Sequence, residues 1–351
     1  MIKDKEQKRI LITGGSGFIG GALIRKLLIE TNHIIFNLDK MGYASDLTSI
    51  KDTLEKIDHK RAKDYSNLQI NLSNQNDTNK AILKSDPDIV FHLAAESHVD
   101  RSIHNPSIFI DSNITGTFNL LEACRSHFSN LDKYRKKIFK FLHISTDEVF
   151  GSLGNTGYFC EKTPYSPQSP YSASKAASDH LVKAWHNTYN FPSIVTNCSN
   201  NFGPWQYPEK LIPLVILKVI KNESIPVYGK GNNIRDWLYV DDHIEALLTV
   251  STKGKNGESY CIGTNQEKTN LEIVENICNI LNEIRPSIKD YKSLISFVKD
   301  RAGHDYRYAI DSTKIKNDLG WQAKNDFSTN LFNTVNWYLC NLEWCFKFKK
   351  K

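Results

Sequence analysis

Thr13-Gly14-Gly15-Ser16-Gly17-Phe18-Ile19-Gly20 is the stretch on which the fold of this 351-residue chain turns. It follows an apolar run, Ile10-Leu11-Ile12, of the kind that forms a buried strand, and it opens a segment from Phe18 to Ile29 with helical periodicity. Strand, glycine turn and helix in that order make a dinucleotide-binding unit. Small residues let backbone amides approach a pyrophosphate, the helix N-terminus offers unpaired N–H groups, and Gly20 lets helix and strand pack closely. Nineteen residues after Gly20, Asp39 closes the next apolar run, His33 to Leu38. A carboxylate there can accept hydrogen bonds from both hydroxyls of an adenosine ribose and repels a 2′-phosphate, so NAD is expected rather than NADP. Lys40, its neighbour, works against that exclusion.

Outward from this unit, Asp88 to Leu93 and Ile138 to Ile144 read as further buried strands, separated by longer helical stretches. Strands alternating with helices predict an α/β fold, a Rossmann-type doubly wound parallel sheet. Beyond residue 200 the rhythm loosens. Pro204, Pro208, Pro213 and Pro226 punctuate short elements, and the last clear pattern is a helix from about Phe327 to Phe346. The expected organisation is a dinucleotide-binding domain over 1–199 with a return segment at about 232–262, and a smaller C-terminal substrate lobe from 200–231 and 263–345. Asp241 and Asp242, just before Ile244-Glu245-Ala246-Leu247-Leu248, read as helix caps.

Composition narrows the function classes. An apolar content of 40% over this length builds a sizeable core. The net charge of +6 owes much to Lys3, Lys5, Lys8 and Arg9 at one end and Lys347, Lys349, Lys350 and Lys351 at the other, runs that read as solvated tails. No groove-reading or base-stacking module accompanies them, so no nucleic-acid partner is expected. The apolar run Leu211 to Leu217 is too short to cross a bilayer and the first nine residues are charged, which predicts a cytoplasmic protein with no membrane partner. Seven cysteines at irregular spacing, with no Cys-x-x-Cys pair, predict mostly reduced core thiols. His92, His98 and His104 do not have helical i, i+4 spacing, and no metal is expected.

Two short motifs carry the chemistry. Tyr171-Ser172-Ala173-Ser174-Lys175 sets a phenol and an ammonium on one helix face, just after the helix-starting Ser169-Pro170. A lysine charge there is expected to lower the Tyr171 pKa, so that the phenolate takes a hydroxyl proton while hydride leaves the same carbon. Lys175 is also placed to hold the nicotinamide ribose. Ser145-Thr146-Asp147-Glu148 follows the fifth strand, at the sheet edge where ligands bind. Ser145 and Glu148 have capping-box spacing, which would make them a helix start and nothing more. The following Gly151, Gly154 and Gly157 do not continue a helix, which favours a chemical role. Two adjacent carboxyls beside a tyrosine base suit elimination of water: one removes a proton alpha to a new ketone, the other, protonated, supplies the leaving hydroxyl.

With these residues assembled, the chain resembles the extended short-chain dehydrogenases/reductases and, among them, the sugar-nucleotide 4,6-dehydratases, from about residue 9 to 320. The match lies in Thr13 to Gly20, His92 to Ser102, Ser145 to Gly151, Tyr171 to Lys175, Asn200 to Leu211, Val227 to Gly229, Arg235 to Asp242 and Asp300 to His304. The resemblance implies NAD-dependent oxidation at C4 by Tyr171 and Lys175, with Thr146 bonding the C4 oxygen. Elimination across C5–C6 by Glu148 as base and Asp147 as acid follows, then hydride return to C6. It implies cofactor contacts from Gly14, Gly17, Phe18, Ile19, Gly20, Asp39, Lys40, Asn71, Leu72, Leu93, Ala94, Ala95, Ser112, Tyr171, Lys175 and Asn201. It implies sugar-nucleotide contacts from Ser97, Thr146, Asn200, Lys210, Leu211, Pro226, Tyr228, Arg235, Asn270, Arg301, His304 and Tyr308. Planar guanidiniums at Arg235 and Arg301 suit bidentate grip on a pyrophosphate.

The resemblance also implies a dTDP-hexose as substrate, and a homodimer built through helices near 106–128 and 169–190. Other nucleotide-hexose dehydratases keep the same chemistry with another base. UDP-sugar epimerases and decarboxylases lack the carboxyl pair, and a catalytically silent NAD sensor or scaffold would not need the intact Tyr, Lys, Asp and Glu. The chain departs from the family at Asn71 for an aspartate, Ser112 for a threonine, Phe150 and Phe202 for tyrosines and Ala302 for a proline. Its segment between Glu148 and Tyr171 is short. At Asn71 the amide oxygen is still expected to accept the adenine amine.

Overall fold

The strand β1 (Arg9–Thr13) lies inside a seven-stranded parallel sheet, between β2 (Ile34–Asp39) and β4 (Ile89–His92). With β3 (Tyr65–Gln69), β5 (Lys140–Thr146), β6 (Ser193–Cys198) and β10 (Ser259–Ile262), the order is β10-β6-β5-β4-β1-β2-β3. The computed structural model describes residues 6–324 and 326–347, so Lys3, Lys5 and Lys349 to Lys351 of the charged tails lie outside the described residues. The chain runs from β1 outward to β3 and then returns to the other side of β1 with β4. This reversal opens a crevice beyond the C-terminal ends of β1 and β4, the place where doubly wound sheets bind ligands.

Alternation along β1 explains why it is central. Ile10 and Ile12 pack with Leu23, Ile24 and Leu27 of the helix Phe18–Glu30 on one face of the sheet. Leu11 packs with Leu120, Leu121 and Cys124 of the helix Gly116–Asn130 on the other. All three β1 residues are essentially inaccessible, and burying each contributes roughly 1.5–3 kcal/mol. A strand covered on both faces is apolar without interruption, which is why its sequence shows no polar alternation.

After β6 the chain builds two small sheets. β9 (Ile234–Tyr239) lies between β7 (Asn200–Phe202) and β11 (Glu267–Thr269), and β8 (Ile225–Tyr228) pairs with β12 (Ile295–Val298). A separate core of Ile216, Val274, Ile277, Leu331, Val335 and Tyr338 supports them. Cys124, Cys198, Cys261, Cys278 and Cys345 are buried free thiols. Among the described residues no helix is long and apolar enough to cross a membrane.

Three local expectations need correction. Ile138 ends a short helix, Lys133–Ile138, and the strand begins at Lys140. The last helix is two helices, Phe327–Cys340 and Leu342–Lys347, broken at Asn341, whose side-chain amide donates to the Trp337 carbonyl at 2.7 Å and competes with helix continuation. Beyond the break Trp344 packs edge-on against Trp205 and Trp337, at centroid distances of 5.1 and 5.4 Å. Asp241 and Asp242 are first-turn residues of the helix Val240–Lys253, whose N-cap is Tyr239, so they favour its positive end without capping it.

Candidate active site

The crevice deepens into a cavity of about 330 Å³. Its floor is the glycine turn. Gly14 has φ +71°, and a Cβ on it would come within 2.7 Å of the Ala94 nitrogen, so the turn needs glycine there for both conformation and space. Gly17 is the N-cap of the helix Phe18–Glu30 and no side chain caps that helix. Gly17, Phe18, Ile19 and Gly20 line the cavity, leaving first-turn amides for an anion. That is the cradle a dinucleotide pyrophosphate needs.

Asp39 is buried at the cavity edge, with Oδ2 accepting from the Ser16 N–H at 3.0 Å and Oδ1 from the Met41 N–H and the Ser45 hydroxyl, each at 2.8 Å. A carboxylate has about four lone-pair sites, so one remains for a ribose hydroxyl rather than the expected two. Lys40 turns to Glu96 at 2.5 Å and Ser112 at 3.4 Å. Asn71 accepts from the Ser73 N–H and hydroxyl at 3.1 and 2.8 Å, so its oxygen is already engaged and the expected bond to an adenine amine would require breaking one of these. Leu72, Leu93, Ala94, Ala95 and Ser112 line the same wall. Asn201 also lines it, with its amide donating to the Ser199 carbonyl at 2.9 Å and its oxygen 2.8 Å from His243 Nδ1.

At the other end β5 delivers Thr146 and a single 3-10 turn, Asp147–Phe150, which Gly151 ends at φ +89°. The hydroxyl that caps this turn belongs to Thr146, which accepts from the Glu148 N–H at 3.3 Å, and not to Ser145 as the capping-box spacing allowed. Thr146 also donates to Asp147 Oδ1 at 3.2 Å, while Asp147 Oδ2 is buried with no hydrogen-bond partner. Burial, and after it the Glu148 carboxylate, raises the Asp147 pKa well above the usual carboxylate range. Burial raises Glu148 too, against the pull of Lys210, Arg235 and Arg301. The pair therefore holds a proton readily, with Asp147 the deeper partner.

Tyr171 and Lys175 stand on the helix Pro170–Tyr189, whose start is fixed by a reciprocal capping box between Ser169 and Ser172. Both are buried and both line the cavity. The expected lowering of the Tyr171 pKa is not found. Burial, then Glu148, raises it well above the ordinary phenol value, with the Thr146 hydroxyl pulling the other way. The Lys175 ammonium donates to the Ile144 carbonyl at 2.9 Å.

Ser97, Thr146, Asn200 and Lys210 share the cavity, and Lys210 donates to the Ser97 carbonyl at 3.0 Å. The other expected sugar-nucleotide contacts do not line it. Arg235 is buried over the Tyr308 ring at 4.1 Å and donates to the carbonyls of Ile234, Tyr306 and Asp305. Tyr308 donates to Asp305 at 2.5 Å. Arg301 is 3.6 Å from Asp100, and its buried Nε has no hydrogen-bond partner. His304 meets Asp300 at 2.6 Å and faces the ring of Tyr228. Arg235 and Arg301 nevertheless act electrostatically on Glu148, so they gather at its side of the cavity. Leu211 starts the helix Leu211–Ile220, Pro226 sits in β8 and Asn270 starts the helix Asn270–Ile284, all outside the cavity wall.

Further wall residues include Tyr43, Glu96, Cys198, Gln206, Tyr207 and Glu209, of which Gln206, Tyr207 and Glu209 lie within the stretch Asn200 to Leu211. Glu96 stands within the stretch His92 to Ser102, which could have flagged it. Tyr43 donates to Glu209 at 2.8 Å under the Arg101 guanidinium, a contact spanning 166 positions that no local spacing announces.

The family model for GDP-mannose 4,6 dehydratase matches residues 11–333. The chain belongs to this family. A probable dTDP-glucose 4,6-dehydratase of Sinorhizobium fredii is 50% identical over 336 residues, 96% of this chain and 94% of the relative. The crystal structure of a dTDP-glucose 4,6-dehydratase of Bacillus anthracis in complex with NAD superimposes with a TM-score of 0.83 at 40% identity, covering 97% of this chain and 99% of that one. A Streptomyces venezuelae dTDP-glucose 4,6-dehydratase with NAD bound gives 0.85 at 35% identity, with the same coverage of both chains. In this member of the family the carboxyl pair and the Tyr-Lys pair line one cavity.

Proposed function

We propose that the chain is an NAD-dependent dTDP-glucose 4,6-dehydratase, a hydro-lyase that forms a 4-keto-6-deoxy sugar nucleotide for deoxysugar synthesis. The observation that carries this reading is the adjacent pair Asp147 and Glu148, facing the same cavity as Tyr171 and Lys175. The names of the relatives supply the nucleobase and the hexose.

NAD would be held by the Gly14–Gly20 turn, Asp39 and the wall from Leu93 to Ala95. When bound, it supplies a hydride acceptor at C4 and a hydride donor at C6, so none is consumed. Tyr171 accepts the C4 hydroxyl proton, and Thr146 donates to the C4 oxygen. A phenol that burial keeps protonated needs positive charge to become a base, and Lys175, one turn along the same helix, is placed to supply it. Once C4 is a ketone the C5 hydrogen is acidic, and Glu148 removes it. Asp147, kept protonated by burial, passes its proton to the C6 hydroxyl, which leaves as water. Glu148 returns its proton to C5 as C6 is reduced, and the proton that Tyr171 took up is released to solvent while Asp147 takes one back, which closes the cycle. Lys210, Arg235 and Arg301 counter the diphosphate charge.

In this reading residues 1–199 with a return segment at about 232–262 hold the dinucleotide, and the remainder to about 345 forms the sugar-nucleotide lobe. The enzyme is cytoplasmic and a homodimer. Ile110, Phe118 and Tyr189, exposed apolar residues along the helical stretches Ser107–Asn130 and Pro170–Tyr189, support such an interface. The test is incubation of the purified protein with dTDP-, UDP-, CDP- and GDP-glucose, reading the 4-keto-6-deoxy product. Product from dTDP-glucose at the highest kcat/KM is expected. Preference for another base, or epimerised sugar without loss of water, would overturn the reading.

A further inference from the structure

A buried polar layer crosses the sheet beside Lys175. Thr13 Oγ1 is 2.7 Å from His92 Nδ1, and His92 Nε2 is 2.9 Å from Thr117 Oγ1. His92 in β4 stands opposite His143 in β5, ring centroids 5.1 Å apart. His143 Nε2 is 3.1 Å from Asp179 Oδ1. Asp179 Oδ2 accepts from the Tyr165 hydroxyl at 2.8 Å and the Asn197 amide at 3.2 Å, and the same amide donates to the Thr146 carbonyl at 3.1 Å. Asp179 has no accessible surface.

We infer that Asp179 is the buried counter-ion of Lys175 and a positioning residue for the reaction, keeping the ammonium charged and, through Asn197, fixing the backbone of Thr146. The two stand four residues apart on one face of one helix, both buried; their charged atoms are not in direct contact, the ammonium bonding the Ile144 carbonyl, so Asp179 acts on it across one helical turn. A buried ammonium without an anion sheds its proton, because desolvation penalises the charged form. The titratable groups facing Lys175 are Tyr171 and Asp179 on its own helix, His92 on β4, His143 on β5 and Cys198 at the end of β6. Burial lowers His143 to about 4 and His92 well below its ordinary value, with the Lys175 charge adding to both. Burial pushes the Cys198 thiol up to about 12 and keeps Tyr171 a phenol. Asp179 is held below its usual value: burial opposes its ionisation, and its neighbours His143, Lys175 and Ser145 outweigh that. Of the groups facing Lys175, only Asp179 is therefore an anion at neutral pH. Burial pulls the Lys175 pKa down and Asp179 opposes it.

The inference rests on reading Tyr171 and Lys175 as the redox acid–base pair. Its test is an NMR titration of the Lys175 ammonium in the full-length NAD-loaded protein carrying 15Nζ-lysine, the signal assigned by its loss in Lys175→Arg. Wild-type Lys175 is expected to stay an ammonium through pH 8. In Asp179→Asn its pKa falls by about 1–3 units, and the alkaline limb of kcat/KM on dTDP-glucose moves down with it, so the loss is larger at pH 8 than at pH 6. Tyr165→Phe, which removes a hydrogen bond but keeps the carboxylate, leaves the titration in place. An unmoved Lys175 titration in Asp179→Asn, or a Lys175 already neutral at pH 8 in the wild type, overturns the inference. The second outcome needs no variant, so a poorly folding Asp179→Asn does not shelter it. A wild-type protein inert on dTDP-glucose would instead count against the proposed function, because the titration is read without turnover.

Discussion

Around Gly14 the cavity is built by backbone and short side chains that follow one another along the chain, whereas around Glu148 its charge is set by Lys210 on the wall and by Arg235 and Arg301 outside the wall, drawn from separate elements. At the first end the conformation is the site: a glycine at φ +71°, an uncapped helix start and a buried carboxylate. At the second, charge is the site, and the arginines are held by protein partners such as the Asp305 carbonyl and Asp100. The difference teaches that damage at the two ends should have different signatures, lost cofactor at one and lost substrate grip or chemistry at the other.

Tyr171→Phe should give the largest effect. Losing the proton acceptor costs roughly 10²–10⁴-fold in kcat/KM, and no NADH absorbance should develop when substrate is added. Next, Gly14→Ala forces a Cβ against Ala94, an overpacking worth about 1–3 kcal/mol. Thermal unfolding should report that cost and calorimetric titration a weakened NAD affinity, while dTDP affinity is kept. If dTDP affinity fell equally, the two ends would not be separable.

Arg301→Ala tests the other end and should raise KM for dTDP-glucose about tenfold or more, the range for a lost hydrogen bond to a charged group, with NAD affinity unchanged. Arg235→Ala should add a loss of thermal stability, because its donors satisfy the carbonyls of Ile234, Tyr306 and Asp305. A separate effect, on stability and not on the site, concerns His243, which burial lowers to about 3. Its unfolded form binds a proton below about pH 6.5, so its contribution to stability is full above that pH and is lost as pH falls toward 3, at up to about 1.4 kcal/mol per unit. His243→Asn should flatten that part of a stability-versus-pH curve.

The sequence reading reached what is local. Ile10 to Gly20 announced strand, turn and helix because each element is encoded within a few residues, and Thr146 to Glu148 and Tyr171 to Lys175 announced a shared cavity through the sheet-edge rule. It failed where the outcome depends on contacts across the chain. The Tyr171 pKa could not be read from a lysine four residues away, because burial and Glu148 dominate it. The remaining capacity of Asp39 depends on Ser16, Met41 and Ser45. Asn341 carries no strong breaker signal, yet it divides the last helix, and the edge-on tryptophan packing beyond it is tertiary.

The most direct test of dehydration by the carboxyl pair is Glu148→Gln mixed with dTDP-glucose while NADH absorbance and 4-keto-6-deoxy product are followed together. The account predicts that the bound cofactor becomes reduced and stays so, with little product released, because C4 is oxidised but the C5 proton has no base. Product formation at the wild-type rate would contradict it.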